Sequence, residues 1–512
     1  MINKTFFAPK DFLNINKIFW TKIPDYNTFF LVDLTVVDPE YLNDSLITMR
    51  ALVDILKAKP VALVSSSNEE GIISLAKSYG INDFVYIDDF KVSFLFKLWL
   101  SFSAVIYWLF ARTKNQLLNI KYKGNIIGHF VYDTFLASTG MGTSKWWDIR
   151  FAKYLRFGLI LYEKFEKIFS QKNYVFFLGS EQIYVGSGIS SLISLKHGIE
   201  VLYRKYGPNK VSYKKYSKIS DLDLFPTHPD QNDFQNILKN EHSIALNWTN
   251  TYITNLFSGV ISDHDWNAKN AYSNAQNLSE VDYHKFFDKK YKYHVFIFSH
   301  VFVDAVHCYR EGLFPDYETW LRETLKIASK RKDVMWIIKP HPSDSAYKTK
   351  SSSVTVYKDF AHFDNIKLFP SNTLTSNLVD KIDAVLTVRG TVAGEYSCVG
   401  IPVVTAGRSS FDEGNFCIMP KSIGEYRDLL LHSNFERLSD ETIKRAKIYM
   451  YLYYNYGRVD LPLLSDLKSD QSLAPSKEEI YNHLLFKIKN SNVKNVIDEG
   501  YKEYIINKLN KV

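Results

Sequence analysis

Cysteine is scarce in this chain, and its placement argues against two common kinds of structural support. The sequence has 512 residues and 3 cysteines, Cys308, Cys398 and Cys417. They are scattered and odd in number, and they show no ligand spacing with a histidine. Neither a disulfide scaffold nor a zinc site is therefore expected.

Dense clusters of basic residues are also missing. Lys and Arg number 63 against 55 Asp and Glu, a formal net charge of +8 spread over the whole chain. A dedicated nucleic-acid binder concentrates its positive charge, so we expect no nucleic-acid partner. The modest excess is compatible with an anionic membrane surface and with phosphorylated substrates.

The sequence shows no secretion signal and only one long apolar segment. The start, MINKTFFAPKDF, has neither a continuous apolar core nor a small-residue cleavage site. The segment from Val92 to Lys114 is nearly long enough to cross a bilayer, but Lys97 interrupts it and Arg112 closes it. It can be a membrane span, a buried helix, or a helix lying in the membrane interface. We favour the last, and predict a cytoplasmic protein, peripheral on the inner face of the cytoplasmic membrane.

Apolar runs of strand length alternate with helical stretches, which predicts the α/β class. Strands are expected at 28–38, 60–66 and 83–88, with helices between them, as in a parallel doubly wound sheet. The length suits two such domains. We predict a first Rossmann-like domain over 1–245, a crossing segment over 246–290, a second domain over 291–435, and C-terminal helices over 436–512. Residues 449–460 are the candidate for a return to the first domain.

Two strand-to-loop junctions between Val334 and Gly407 predict a phosphate site. The first strand ends at Lys339-Pro340-His341-Pro342, where two prolines stiffen the turn around the histidine. His341 can donate a hydrogen bond to a phosphate, or protonate a leaving phosphate. The alternative is a rigid surface turn with an incidental histidine.

The second junction supplies the opposite wall of the predicted pocket. Residues 383–388 form the expected strand, Arg389-Gly390-Thr391 a tight turn, and 392–399 a short helix. Such a turn lies at the carboxyl edge of a parallel sheet, where phosphates bind. Glu395 lies on the helix face of Thr391 and can accept from ribose hydroxyls, or it is a solvated helix carboxylate. The nucleotide-binding or donor-binding candidates are Lys339, Ser343, Arg389, Gly390, Thr391 and Glu395, with Ser299 and His300 from the preceding strand tip.

These motifs carry a family resemblance. KPHP, followed by GTVAGEY and GIPVVTAG, resembles the nucleotide-binding half of bacterial capsule and surface-polysaccharide glycosyltransferases of the GT-B type, including Kdo (3-deoxy-manno-octulosonic acid) transferases. The similarity extends to 299–307 and 314–321, and weakly to 128–136. It implies two Rossmann-like doubly wound domains facing a central cleft.

The resemblance also implies an activity. A sugar would pass from a nucleotide donor to a surface polysaccharide or lipid-linked glycan, and the best match is a Kdo-type acidic sugar from a CMP donor. UDP or GDP sugars, or a CDP-polyol, stay open as donors. A sugar-nucleotide epimerase and a catalytically silent glycan-binding scaffold are the alternatives from other functional classes.

The acceptor side is assigned to the first half of the chain. Asp133 follows the segment 120–132, interpreted as a strand or hairpin, and is the candidate base or nucleophile; its alternative is a helix cap. Glu181, Gln182 and Tyr184 follow the strand YVFFLG and are acceptor-binding candidates, or plain loop residues.

Two Asp-x-Asp sequences, at 221–223 and 263–265, match the motif of metal-dependent GT-A transferases. Neither directly follows a strong strand. We therefore expect no metal ligand and no cofactor apart from the nucleotide-sugar substrate.

Overall fold

The computed structural model describes residues 8–205, 210–258, 260, 277–345, 347, 349–371, 373–467 and 475–510. The chain divides into two compact units. The first comprises Met1–Thr134, Trp147–Pro226 and Arg458–Val512, and the second comprises Phe135–Trp146 and Thr227–Gly457. The Asp-x-Asp sequence at 263–265 lies outside the described residues.

The first unit contains a mainly parallel sheet. In the described residues its strand order is β14-β8-β7-β6-β1-β2-β3, and the order reverses on either side of β1. Strands β1, β2, β3, β6 and β7 run parallel, whereas β8 and β14 are antiparallel additions. A short hairpin, β4 and β5, stands apart. The bounds are β1 Phe29–Asp33, β2 Lys59–Val64, β3 Asp83–Tyr86, β4 Lys121–Tyr122, β5 Asn125–Ile126, β6 Tyr174–Gly179, β7 Val201–Lys205, β8 Lys210–Tyr216 and β14 Val459–Asp460.

Helices cover this sheet, and the last three helices of the chain belong to the first unit. The bounds are α1 Lys10–Phe19, α2 Pro39–Leu56, α3 Glu70–Ser78, α4 Phe94–Phe110, α5 Lys114–Leu118, α6 Gly128–Thr139, α7 Arg150–Gln171, α8 Ile189–Lys196, α17 Lys477–Lys489, α18 Val493–Val496 and α19 Glu499–Asn510. Leu484 and Ile505 are buried in one apolar core with Leu46 and Leu52 of α2. The carboxyl-terminal helices therefore complete the first unit.

The second unit is built on an all-parallel sheet. Its strand order in the described residues is β11-β10-β9-β12-β13. All six residues of β10 are buried, as expected for a strand covered on both faces. The strands are β9 Tyr293–Phe298, β10 Val334–Lys339, β11 Ile366–Leu368, β12 Ala384–Thr387 and β13 Val403–Thr405. The helices are α9 Gln231–Asn236, α10 His242–Phe257, α11 Glu280–Phe286, α12 Tyr317–Ala328, α13 Ser353–Lys358, α14 Val392–Ser397, α15 Ile423–His432 and α16 Asp440–Tyr454.

The predicted α/β class is confirmed, with one mainly parallel and one all-parallel sheet, but two boundaries differ from the prediction. The chain enters the second unit at Thr227 rather than near 245, because Phe234 and Ile237 are buried in the second unit's core. Residues 449–454 also stay in that core, where Tyr449 is fully buried. The return to the first unit therefore begins at Arg458, and α17 to α19 carry it.

The apolar segment 92–114 forms α4 and the start of α5. Among the described residues, no helix combines the length and the apolar character that crossing a membrane requires. Leu100, Ser103 and Ala104 of α4 are buried, whereas Phe94 and Phe102 are well exposed.

Candidate functional site

The site lies at the carboxyl edge of the second sheet, where the strand order reverses. Strands β10 and β12 both pair with β9, on opposite sides of it. The chain therefore builds the sheet outward from β9 in one direction through β10 and β11, and in the other through β12 and β13. In open α/β sheets, ligands bind outside the carboxyl ends of strands at such a reversal point. The residues that follow β9, β10 and β12 are Ser299-His300, Pro340-His341 and Val388-Arg389.

His300 is the fixed centre of this edge. Its Nε2 lies 3.0 Å from Thr387 Oγ1 and accepts a hydrogen bond from the Val388 N–H at 3.2 Å. Its ring stacks on Tyr317 with a centroid distance of 4.3 Å. Burial holds the pKa of His300 well below its usual value, and the nearby His341 and Arg389 lower it further. His300 is therefore a neutral imidazole that ties β9 to the turn after β12.

Arg389 is a cation without a carboxylate partner in the described part of the chain. Its Nη1 donates to the Tyr309 carbonyl oxygen at 2.9 Å, and its guanidinium lies over the rings of Tyr309 and Tyr317. Nε is buried without a hydrogen-bond partner. A sequestered cation is costly when no anion accompanies it. The arrangement is suited to an anionic ligand that approaches Nη2.

Two glycines lie beside the guanidinium of Arg389. Gly312 and Gly407 pair through an isolated β-bridge. A Cβ added to either glycine would lie 3.5 Å from Arg389 Nη2. That distance is ordinary van der Waals contact, and the closest contacts would be with the backbone, at 3.2 Å from the Phe314 carbonyl oxygen for Gly312 and 3.1 Å from the Gly312 Cα for Gly407.

His341 is held as a neutral hydrogen-bond donor. Its Nδ1 accepts from the Ser343 backbone N–H at 3.1 Å, which places the proton on Nε2. Burial lowers the pKa of His341 to about 4. The imidazole is therefore uncharged at neutral pH, and of its two predicted roles the structure favours donating a hydrogen bond over protonating a leaving group.

Lys339 occupies a different position from the one predicted. Its Nζ donates to the carbonyl oxygens of Pro370, Ser371 and Thr373 at 2.9, 2.9 and 2.7 Å. Burial lowers the pKa of Lys339 to about 7, whereas the three carbonyl oxygens favour the ammonium form. All three ammonium hydrogens are engaged by the carbonyl oxygens of Pro370, Ser371 and Thr373, so Lys339 has none left for a phosphate.

The turn after β12 is partly as predicted. The Gly390 N–H donates to Thr387 Oγ1 at 3.2 Å, so this amide is already engaged and the prediction that it contacts phosphate does not fit the structure. Thr391 precedes α14 and makes no capping hydrogen bond with its hydroxyl. Glu395 lies one turn later and is 7% exposed, so it is not a solvated helix carboxylate. Its predicted contact with ribose stays a prediction.

One carboxylate near the site was not recognised in the sequence. Both carboxylate oxygens of Asp344 are buried and lack a hydrogen-bond partner within the described residues. Burial raises the pKa of Asp344 to about 6. Its position, three residues after His341 in a loop, carries no signal in a single sequence. Ser299, by contrast, is where the sequence predicts it, buried at the end of β9 with its N–H donating to the Lys339 carbonyl at 3.0 Å.

Asp133 does not end a strand, and that prediction is wrong. The hairpin at 121–126 is present, but Gly128–Thr139 is helix α6, and Asp133 lies inside it with 2% exposure. The helix is buried on nearly all sides and has polar as well as apolar residues around it, so it lacks the one-sided apolar period that identifies a helix. Asp133 is not a helix cap either, and its predicted role as base or nucleophile stays a prediction.

The other acceptor-side candidates follow β6 in the first unit, as predicted. Gln182 is buried, and its Nε2 donates to the Leu224 carbonyl at 3.0 Å, which is a structural contact. Tyr184 has a backbone φ of 60°, in the left-handed region, and Glu181 is partly exposed. Their contacts with an acceptor stay predictions.

The structure also clusters three potential metal ligands in the second unit, His228, Asp412 and Glu413. His228 Nε2 lies 3.0 Å from Asp412 Oδ1. Arg408 pairs with Asp412 at 2.9 Å and with Glu413 at 3.0 Å. Because one guanidinium already compensates both carboxylates, this cluster is satisfied as an ion-pair network. Asp221, from the first Asp-x-Asp sequence, accepts from the N–H groups of Ser217 and Lys218.

Comparison with known proteins supports the resemblance over part of the chain. Residues 266–414 match the family model described as "Capsule polysaccharide biosynthesis protein". This range contains both junctions described above, and it is less than a third of the chain. No curated protein matches the sequence.

Several solved structures are similar at low identity. The Kdo transferase KpsC of Thermosulfurimonas dismutans is 13% identical, with 61% of this chain and 88% of that chain covered and a TM-score of 0.37. Anabaena HepE in complex with UDP-glucose is 10% identical, with 90% and 100% covered and a TM-score of 0.26. The UDP-GlcNAc 2-epimerase of Neisseria meningitidis is 11% identical, with 83% and 99% covered and a TM-score of 0.23. TM-scores this low do not establish a common architecture.

Proposed function

We propose that this protein is a glycosyltransferase of capsule or surface-polysaccharide synthesis, and that the second unit binds the nucleotide of its sugar donor. The observation that carries the proposal is the cation Arg389, which lacks a carboxylate partner among the described residues. It lies at the reversal point of a parallel sheet, inside the range that matches the capsule family model.

The chemistry of this edge suits a departing nucleotide phosphate. Negative charge grows on that phosphate as the glycosidic bond to the donor sugar breaks, so fixed positive charge and fixed donors favour the transition state. Arg389 supplies the charge through Nη2, and His341 supplies a neutral N–H from Nε2. We propose separately that the reaction needs no metal ion, because the guanidinium supplies the positive charge at this place.

For the hydroxyl groups of the donor we propose two carboxylates, Asp344 and Glu395. Asp344 has two buried oxygens without partners in the described structure, and ribose or sugar hydroxyls can satisfy them. Glu395 follows Thr391 by one helical turn. The assignments of Asp344 and Glu395 depend on the proposed nucleotide site and are not evidence for it.

For the donor we propose a CMP-linked acidic sugar of the Kdo type. The support is the sequence resemblance of the KPHP and GTVAGEY pair, together with the family match of the same range. The acceptor we propose is a polymeric or lipid-linked glycan at the inner face of the cytoplasmic membrane. UDP and GDP sugars and CDP-polyols are the competing donors.

Product analysis tests the proposal. Purified protein is incubated with CMP-Kdo, UDP-glucose or UDP-GlcNAc and a Kdo-terminated oligosaccharide, with and without EDTA, and free nucleotide and product mass are measured. We expect CMP release and an acceptor heavier by one Kdo residue, with EDTA lacking an effect. Conversion of UDP-GlcNAc to an isomer of equal mass would identify an epimerase instead. Binding without turnover of any donor would support the silent scaffold.

A further inference from the structure

We propose that the exposed face of α4, with the cations around it, is a docking surface for an anionic lipid bilayer. This surface, the α4 face, consists of Phe94, Leu95, Leu98, Trp99, Phe102, Val105, Leu109 and Phe110. The inference rests on the first unit alone and is independent of the proposed function.

Every well-exposed side chain of α4 is apolar. The exposures of Phe94, Leu95, Phe102 and Phe110 are 74, 77, 66 and 76%. The positions recur every three to four residues, which places them along one side of the helix. The helix is about 25 Å long at 1.5 Å per residue, so the face is extended and continuous. Contiguous apolar surface of this kind marks an interaction site.

The other side of α4 is anchored to the protein. Leu100, Ser103 and Ala104 are buried, and α4 packs against α7. The Lys167 Nζ of α7 donates to the Lys91 carbonyl at 3.0 Å, so the end of α7 lies beside the start of α4. A helix fixed in this way can lie in a membrane interface, with one face in the lipid, without leaving the fold.

Cations without ion-pair partners border the α4 face. Lys91 precedes the helix, Arg112 follows it, and Lys153 and Arg156 are exposed on α7. Within the described structure none of these four pairs with a carboxylate, whereas Arg150 and Lys164 of α7 do, with Asp148 and Asp88. The α7 carboxylates are already paired, Glu163 with Lys123 and Glu166 with Lys196. Asp89, exposed two residues before Lys91, is outnumbered by the four cations, so the charge on the segments next to the face is net positive.

This charge pattern favours an anionic bilayer over a second copy of the chain. A two-fold interface through the α4 face would bring the cations of both copies together, and like charges in apposition are unfavourable. Anionic headgroups complement the same cations, and each basic residue near such a surface adds attraction. Trp99 suits the boundary between headgroups and acyl chains.

Vesicle binding tests the surface. The wild-type protein is sedimented with vesicles of phosphatidylglycerol and phosphatidylethanolamine, and with phosphatidylcholine vesicles. A variant with Phe94, Leu95, Leu98 and Phe102 replaced by Ser is compared with a control in which Ile244, Val354, Ile423 and Phe486 become Ser. The control residues are also exposed and apolar but lie on other helices. We expect the first variant to lose about tenfold or more in partition on anionic vesicles, and the control to bind as the wild type does.

Charge and orientation have their own readouts. Combining Arg112→Glu with Arg156→Glu should weaken binding to anionic vesicles and leave binding to phosphatidylcholine unchanged. Brominated lipids should quench the tryptophan fluorescence of the wild-type protein more than that of the Trp99→Phe variant. This comparison does not depend on whether the Ser variant folds. The proposal is overturned if the wild type does not bind anionic vesicles, or if the folded Ser variant binds equally. A wild-type dimer that the Ser variant dissociates, without vesicle binding, would assign the face to a second copy.

Discussion

Replacing Arg389 with methionine separates a ligand-binding cation from a structural one. The change removes the hydrogen bond from Nη1 to the Tyr309 carbonyl, which costs about 1–3 kcal/mol if that oxygen is left buried. It also removes a sequestered charge without a carboxylate partner in the described structure, which is a gain of the opposite sign. We therefore expect the free energy of unfolding without nucleotide to change by less than about 1 kcal/mol.

Nucleotide affinity should respond much more strongly to the same change. Loss of a charge-assisted contact to phosphate is worth about 2–3 kcal/mol, or roughly 30-fold to 150-fold in Kd. Isothermal titration calorimetry with CMP measures Kd, and urea denaturation measures stability. A variant that keeps the wild-type Kd would refute the assignment.

Arg331→Met is the matched control in the same unit. Arg331 is buried, whereas Arg389 is half-buried, and the guanidinium of Arg331 pairs with Asp333 and donates to the carbonyl oxygens of Leu430 and Ser433 at 3.0 and 2.7 Å. It should lose about 3 kcal/mol of stability, as expected when buried partners are left unpaired, and bind CMP normally. If the Arg389 variant behaves in the same way, Arg389 is structural.

Three further substitutions have separate outcomes. His341→Ala should weaken CMP binding by roughly tenfold to 100-fold, and His341→Gln should retain part of the wild-type affinity. Because burial lowers the pKa of His341 to about 4, the contribution of His341 to CMP affinity should be independent of pH above about pH 5.5. A decrease of that contribution as the pH rises through 6.5 in calorimetric titrations would show a charged imidazole. Lys339→Met should lower the free energy of unfolding in urea by about 2–4 kcal/mol and leave CMP affinity unchanged. If the variant instead keeps its stability and loses CMP affinity, Lys339 contacts the phosphate as the sequence predicts. Gly142→Ala should lower the melting temperature, because the added Cβ would lie 2.5 Å from Glu318 Oε2. Gly424→Ala is the control and should not lower it, because the nearest atom to its added Cβ, Ser422 Oγ, is 3.6 Å away. Equal melting temperatures for the two variants would contradict the packing around Gly142.

The strands of the candidate site were predictable because each obeys a local rule. Residues 334–339 and 384–387 are short buried apolar runs that end in turn residues, and strands covered on both faces have this composition. Their placement at one sheet edge follows from parallel pairing. His300 was found for the same reason, since it stands directly after β9.

The errors arose where tertiary context decides. Asp133 lies in a helix that is buried on nearly all sides, so no one-sided apolar period distinguishes it from a strand. Lys339 stands beside the predicted phosphate site in sequence, but the carbonyl oxygens that it contacts are 31 to 34 residues away. Asp344 becomes notable only because its oxygens are buried without partners within the described residues. Sequence identifies the edge of the sheet, and three-dimensional contacts assign the individual side chains.

A crystal structure of the protein with CMP would locate the nucleotide phosphate. We predict that the phosphate lies at the carboxyl edge of the second sheet, at about 3 Å from Nη2 of Arg389 or Nε2 of His341, the distance of a charge-assisted hydrogen bond. A CMP molecule bound elsewhere, with both of these nitrogens far from its phosphate, would contradict it.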